Sequence, residues 1–453
     1  MFSKFANIFR IPELRNKILV TLGLLVIYRV GSFIVIPGID STQIAAALET
    51  QQQQGGIGGL LNVASALTGG ALQNCTLFAL GIMPYISASI IFQLLTKVLP
   101  ALEALSKEGE AGRKKINQYT RYSTVALCMF QGIFILAYIK NPGNMGGFAV
   151  VFPDEAASTW WFFRSVLIMA TGTVFLMWIG EQISEFGIGN GISLIIMGGI
   201  IGRIPWSIKS FIENIVTAPE MGSTYANQTM KMLVFIAMFI AVVVAVVIMT
   251  QGQRRIPTQQ AKHTRGRRQY GGQRSFLPFS VNSAGVMPVI FAQSLIMLPA
   301  MLFAWIGLDS VSRDWFNATG FWYIMIYVVM IFFFTYFWIS IMYNPVEMAN
   351  NLKEYGSFIP GIRPGRRTAE YMEKIWNRVT VAGACFLALI AIIPQLVSSA
   401  FEIQYVTASF LGGTGILIVV GVALDLVRKI ESHLVMRHYE GFLKGGTRIR
   451  GRR

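Results

Sequence analysis

The chain has 453 residues, 54% of them hydrophobic and 13% charged, with a mean hydropathy of +0.54. That is too little charge to cover the surface of a soluble chain of this length, so the class is a polytopic membrane protein. Thirty-eight Lys and Arg against 22 Asp and Glu give a net charge of +16, which such a protein keeps in basic loops on the cytoplasmic side.

The first segment, 1–17, is basic and leads into the apolar run Ile18–Ile36. That run is too long for a signal-peptide core and ends at Pro37-Gly38, so it reads as a retained first span. Next comes Gly55–Ala71, GGIGGLLNVASALTGGA, where glycine pairs bracket the helix-compatible stretch Leu60–Thr68. It is too short to cross a bilayer, which takes roughly 20 apolar residues. Ten stretches meet that length criterion: 18–36, 76–95, 122–139, 160–180, 191–211, 232–250, 284–306, 321–343, 379–397 and 405–424. The fifth is the weakest, because Arg203 and Lys209 interrupt it.

With the N-terminus inside, successive inside segments carry 4, 6, 0, 7, 6 and 8 Lys or Arg, 31 of the 38. Arg203 and Lys209 count with the outside residues, and Arg29 falls within the first span. The bias obeys the positive-inside rule and places both termini in the cytoplasm. It tests parity only, since losing the fourth and fifth spans together leaves parity unchanged.

Two phrases repeat. Gly81-Ile82-Met83-Pro84 lies in the second span and Gly285-Val286-Met287-Pro288 in the seventh. An offset of five spans reverses direction across the bilayer, which is the mark of an inverted repeat relating spans one to five with six to ten. Gly189-Asn190-Gly191-Ile192 and Gly413-Thr414-Gly415-Ile416 open the last span of each half. Proline inside a membrane helix frees a carbonyl and permits a kink, tolerated where protein or a water-filled cavity satisfies the freed group. Each phrase therefore lines an interior, with Ile82 and Ile86, or Val286 and Ile290, on one apolar helical face.

None of the ten span interiors holds Asp or Glu; Glu181 and Asp425 fall just past span ends. Ion-coupled transporters place carboxylates at mid-membrane, so a secondary transporter or flippase, the runner-up reading, lacks its coupling groups. Apolar constrictions block ions by dewetting and suit a conduit that seals at rest and opens for something large. No HExxH, GxGD or intramembrane Ser–His arrangement points to a protease, and GIGNG lacks the Lys-Ser/Thr ending of a phosphate loop. Neither catalysis, a cofactor nor a metal is expected, and energy comes from a partner. Cys75, Cys128 and Cys385 form no close pair, and the histidines at 263, 433 and 438 lack ligand spacing.

GIMPYISASIIFQLL, SKEGEAGRKKINQYTRY, GIGNGIS, NPVEMANNLKE and GSFIPGIRPGRRTAEY, in that order along nearly the whole chain, resemble the SecY family of bacterial preprotein-translocase subunits. The resemblance implies an all-α polytopic fold, ten transmembrane helices in two pseudo-symmetric inverted halves around an hourglass pore. The halves are 18–211 and 232–427, joined by a linker at 212–231 and followed by a basic tail, 428–453. It implies a multi-pass protein of the bacterial cytoplasmic membrane that conducts unfolded secretory chains and releases hydrophobic segments sideways into lipid.

By motif, the family's aliphatic pore ring falls on Ile82, Ile86, Ile192, Ile196, Ile290 and Ile418. The segment 55–71 resembles its plug, with Gly59, Leu60, Leu61, Asn62, Val63, Ala64, Ser65, Ala66, Leu67, Thr68 and Gly69 as its body and the glycines as hinges. The lateral gate lies between spans two and seven, where Ser87 and Gln93 face Gln293 and Ser294 and are expected to hydrogen-bond across the seam when shut. Loops 251–280 and 344–377 correspond to the docking loops for the ribosome and the SecA ATPase, with Arg254, Arg255 and Arg363 at the matching positions. Arg366 and Arg367 add charge beyond the core element. Further implied partners are SecE- and SecG-type small membrane subunits, signal-peptide-bearing precursors and anionic lipid.

Overall fold

The computed structural model describes residues 11–40, 68–140, 158–217, 225–260, 274–305, 320–401 and 414–444, with a few short stretches between them. In chain order these form α1 (Pro12–Gly31), α2 (Met83–Val98), α3 (Pro100–Lys107), α4 (Glu110–Lys140), α5 (Thr159–Phe186), α6 (Gly191–Thr217) and α7 (Tyr225–Gln251). Then come strands β1 (Gln253–Gln260), β2 (His263–Arg265), β3 (Arg268–Tyr270) and β4 (Arg274–Ser280). The second half continues with α8 (Met287–Trp305), α9 (Phe321–Met342), α10 (Pro345–Glu354), β5 (Ser357–Phe358), α11 (Arg366–Phe401) and α12 (Thr414–Lys444).

A helix occupies part or all of each sequence-predicted span. By length and composition four described stretches are apolar enough to cross a membrane: Glu110–Lys140, Thr159–Phe186, Phe321–Glu354 and Arg366–Ile393. A fifth follows if α2 and α3 count as one, although they bend by 99° at their junction. The bend has a local cause. Leu99 precedes Pro100, whose ring pushes the preceding residue out of the helical region, and Leu99 is extended at φ −97°, ψ 114°.

The repeated phrase starts helices rather than kinking them, which corrects the expectation from sequence. Residues 77–82 form turns, and Pro84 sits in the first turn of α2. Pro288 is likewise the second residue of α8. Proline fits there because a first-turn N–H has no intrahelical partner to lose. Gly81 at φ +57° and Gly285 at φ +64° turn the chain into each helix, a backbone region that costs other residues energy.

A large apolar cluster runs from Tyr28 and Phe78 of the first half to Ile416 and Val422 of the second, with Ile179, Ile195, Ile331 and Leu387 among its fully buried members. Among the described residues the halves meet where α2 packs on α8 and α6 packs on α12, with a smaller contact between α6 and α7.

The all-α expectation needs a second correction. Strands β4, β1 and β5 form an antiparallel sheet in that order, so the two long loops are fastened together. Arg254 pairs with Phe279 and Gln259 with Phe358 in register. The sheet covers its own core of Ile256, Phe279, Ile359, Met372, Ile375 and Trp376. The strands hid in the sequence because β1, QRRIPTQQ, buries only Ile256 and Thr258 and carries Pro257. That is a two-residue alternation in a polar run, too brief to register as periodic.

Candidate pore and its seal

The six ring positions share a structural origin. Ile82 caps α2 and Ile86 lies in its first turn; Ile192 and Ile196 begin α6, Ile290 begins α8, and Ile418 begins α12. Four helix starts therefore converge. Ile82, Ile86, Ile196, Ile290 and Ile418 are buried, and Ile192 is half-buried against the same cluster. Ile82, Ile86, Ile196 and Ile290 line one small pocket together with Met83 and Thr68. The four isoleucines and Met83 offer water no hydrogen-bond partner, and an apolar constriction of this kind stays dry while it is narrow.

Thr68, at the end of the segment expected to be the plug, contributes to the lining of that pocket. Of its body, Ser65, Thr68 and Gly69 lie within the described residues; Gly59, Leu60, Leu61, Asn62, Val63, Ala64, Ala66 and Leu67 lie outside them. The root of the segment, the described residues from Ser65 to Leu77, is held by a set of short-range and cross-chain bonds. Gly70 N–H donates to Ser65 O at 2.8 Å, and Ile36 N–H and Leu77 N–H make the pairs Ile36–Cys75 and Leu77–Ile34 at 3.0 and 2.8 Å. Tyr28 Oη donates to Thr68 O at 3.3 Å.

Glycines allow the approach. A side chain at Gly69, already at φ +66°, would meet Gly199 Cα at 2.7 Å. A Cβ on Gly199 would strike Tyr28 Oη at 2.6 Å, and one on Gly81 would reach Thr68 Cγ2 at 2.5 Å. Cys75, in the root, is buried, and burial pushes its thiol up to about 12, so it stays protonated.

Two arginines to which the sequence assigned no role, Arg29 and Arg203, lie at this root. Arg203 was counted with the outside residues, but α6 runs unbroken through it and it is only 6% exposed. Arg203 Nη1 donates to Ser65 Oγ at 2.7 Å, and its Nη2 to Gln73 Oε1. Arg29 Nη2 donates to Gly202 O at 2.9 Å and Nη1 to Gly69 O at 3.5 Å. The signal was present: a guanidinium within an apolar span is costly and rarely incidental.

At the expected gate, Ser87 is buried on α2 and Ser294 on α8. Hydrogen bonds across the seam are not what these residues make. Ser294 Oγ donates to Ile290 O at 2.8 Å and Gln93 Nε2 to Ser89 Oγ at 3.3 Å, each within its own helix. Gln93 Oε1 and Gln293 Oε1 are buried without a partner. Local i−4 acceptors are always within reach in a helix, whereas a partner across a seam must be positioned.

Arg254 and Arg255 project from β1 and are exposed. Arg363 is exposed in a turn whose Gly361 and Gly365 have φ +85° and +106°, and its carbonyl accepts from Thr368 Oγ1 at 2.9 Å. Arg366 pairs with Glu370 at 3.2 Å on the surface, worth little in energy. Arg254 and Arg255 on β1 and Arg363 in the turn after β5 thus belong to loops that share one sheet and one apolar core.

The SecY family model matches residues 76–427. The protein translocase subunit SecY of Streptomyces galbus is 44% identical over 456 residues, covering 98% of this chain and 100% of that one. The subunit of the same name from Thermotoga maritima is 39% identical over 455 residues, covering 100% of each. Among solved structures, one described as showing that the plug domain of SecY stabilises the closed state and maintains a membrane seal superposes with a TM-score of 0.62 at 18% identity, covering 96% of this chain and 95% of that one. The channel of the canine ribosome–channel complex from the endoplasmic reticulum gives 0.58 at 17% identity, with the same coverage.

Proposed function

The chain belongs to the SecY family, and from that membership we propose that it is the pore-forming subunit of a protein translocase. It conducts unfolded secretory polypeptides across the cytoplasmic membrane and passes hydrophobic segments into lipid. The ten apolar stretches are spans of two inverted halves, with both termini cytoplasmic. The pocket shared by Ile82, Ile86, Ile196, Ile290 and Thr68 carries this reading, because ring positions from three helices meet each other and the plug at one point. A dry aliphatic waist excludes ions and makes no demand on the sequence of a threading chain.

In this reading the seam between α2 and α8 is the lateral gate. It is held by side-chain packing, since the polar groups of Gln93 and Ser294 bond within their own helices. A hydrophobic signal segment then competes apolar surface against apolar surface. Arg254, Arg255 and Arg363, carried on one sheet-bound platform, form the docking face for the ribosome and for the SecA motor. The planar guanidinium fork suits both phosphate and carboxylate acceptors. SecE- and SecG-type subunits and anionic lipid complete the assembly.

The test is protease protection of a signal-bearing precursor in proteoliposomes holding the chain, its small partner subunits and the motor ATPase. Full-length precursor becomes protected when ATP is supplied, and Arg363→Glu abolishes protection without preventing membrane insertion of the chain itself. Protection that does not depend on this subunit contradicts the proposal.

A further inference from the structure

Resting on the plug reading above, we propose that Arg29 and Arg203 are positioning residues that lock the root of the plug in the closed state. Four observations meet at one place. First, Arg203 is buried in α6 and donates to both ends of the root, Ser65 and Gln73. Second, Arg29 bridges from α1 to Gly69 of the root and to Gly202 of α6, with its guanidinium carbon 5.0 Å from the Phe33 ring centre. Third, the root and α6 touch backbone to backbone at Gly69 and Gly199, and a Cβ on Gly202 would lie 2.9 Å from Arg29 Cζ. Fourth, Tyr28 donates to Thr68 O, so α1 contributes adjacent donors, Tyr28 and Arg29, to adjacent acceptors, Thr68 and Gly69.

The chemistry explains why arginine is used. A guanidinium offers five donors in a fixed plane and cannot shed its charge, so a buried one must be met by acceptors. Here the root supplies Ser65 Oγ, Gln73 Oε1 and Gly69 O. The two guanidinium groups flank the same glycine pair: Arg29 Nη1 donates to Gly69 O, and a Cβ on Gly70 would lie 3.5 Å from Arg203 Nη1. The root sits between two cations that repel, and its acceptors offset that repulsion. The arrangement has two states by construction. With the root seated, Arg203 donates to Ser65 and Gln73 and Arg29 to Gly69; withdrawing the root removes these three acceptors and leaves Arg29 its bond to Gly202 O, so water must replace the rest. The lock therefore contributes to closure without making it permanent. It also acts at the root rather than at the ring, so it governs whether the plug is seated and leaves the width of the waist to the isoleucines.

The test reads the root directly. Full-length chain with its small partner subunits in lipid is followed by hydrogen exchange at the amides of Gly70, Asn74 and Thr76, which donate to Ser65 O, Gly70 O and Ala71 O. Arg203→Gln speeds their exchange by about tenfold, Arg203→Lys gives a smaller rise because lysine lacks the fork, and amides of α9 are unaffected. A Ser65→Ala, Gln73→Ala double variant leaves both helices untouched and matches Arg203→Gln. This guards against a variant that merely misfolds. Unchanged root exchange in Arg203→Gln and in the double variant overturns the lock. Resting ion flux measured on the same samples separates the two levels. Faster exchange with raised flux supports lock and plug together, while faster exchange with unchanged flux keeps the lock and removes the plug reading beneath it.

Discussion

The two copies of the repeated phrase do the same thing to the backbone and opposite things to their surroundings. Gly81 and Gly285 both turn the chain at positive φ into a helix whose first turn holds a proline. Around Gly81 the space is full, because an added Cβ would lie 2.5 Å from Thr68 Cγ2. Around Gly285 nothing lies within 4 Å. One helix start of the candidate pore is packed against Thr68, and among the described residues its counterpart has no neighbour at that point. The repeated phrase thus delivers equivalent helix starts, and in the proposed reading the segment ending at Thr68 makes one of them part of a seal.

The difference predicts unequal responses to equal changes, read as resting ion flux through proteoliposomes without precursor. Gly81→Ala has the largest effect: it combines left-handed backbone strain, about 1 kcal/mol or more, with displacement of a buried, branched Thr68, and flux rises about tenfold. Adding Thr68→Ser removes the struck methyl while keeping the hydroxyl, and brings flux most of the way back. Next come Ile86→Asn and Ile290→Asn, which put a wettable group into the pocket from opposite walls; each raises flux severalfold and relaxes the requirement for an intact signal sequence. Gly285→Ala carries strain alone, so it lowers thermal stability by about 1 kcal/mol while flux stays near the unsubstituted level. Ser294→Ala is smallest, since it removes one bond within α8 worth about 0.6 kcal/mol, and gating thresholds barely move. Equal flux from Gly81→Ala and Gly285→Ala would erase the distinction between the two walls.

How much of this was legible in the sequence depended on the kind of signal. Long apolar runs are redundant, so a helix occupies part or all of each predicted stretch. The repeated phrase was visible, but its meaning was not. Proline inside an apolar run reads as a kink, and only the turn at 77–82 shows that the helix has not yet begun. The ring isoleucines were placed by motif, and their shared position at helix starts emerges only when four helices are brought together. The sheet was missed because β1 and β5 lie about a hundred residues apart in the chain and pair through only two registered positions. The polar groups expected at the gate were given partners across the seam, whereas Ser294 and Gln93 bond within their own helices, since an i−4 acceptor is a local competitor that spacing alone does not rule out. Arg29 and Arg203 were noticed as interruptions of apolar spans. Their acceptors, Ser65, Gly69, Gln73 and Gly202, sit up to 173 positions away in the chain, beyond any local pattern.

The most direct test of the central claim is crosslinking from single cysteines at positions 86 and 290 to a precursor stalled midway across the membrane. Both positions capture the same stalled chain, with capture dependent on an intact signal sequence, if the pocket is the waist through which polypeptide passes. Capture of lipid alone, with no precursor adduct at either position, contradicts the account.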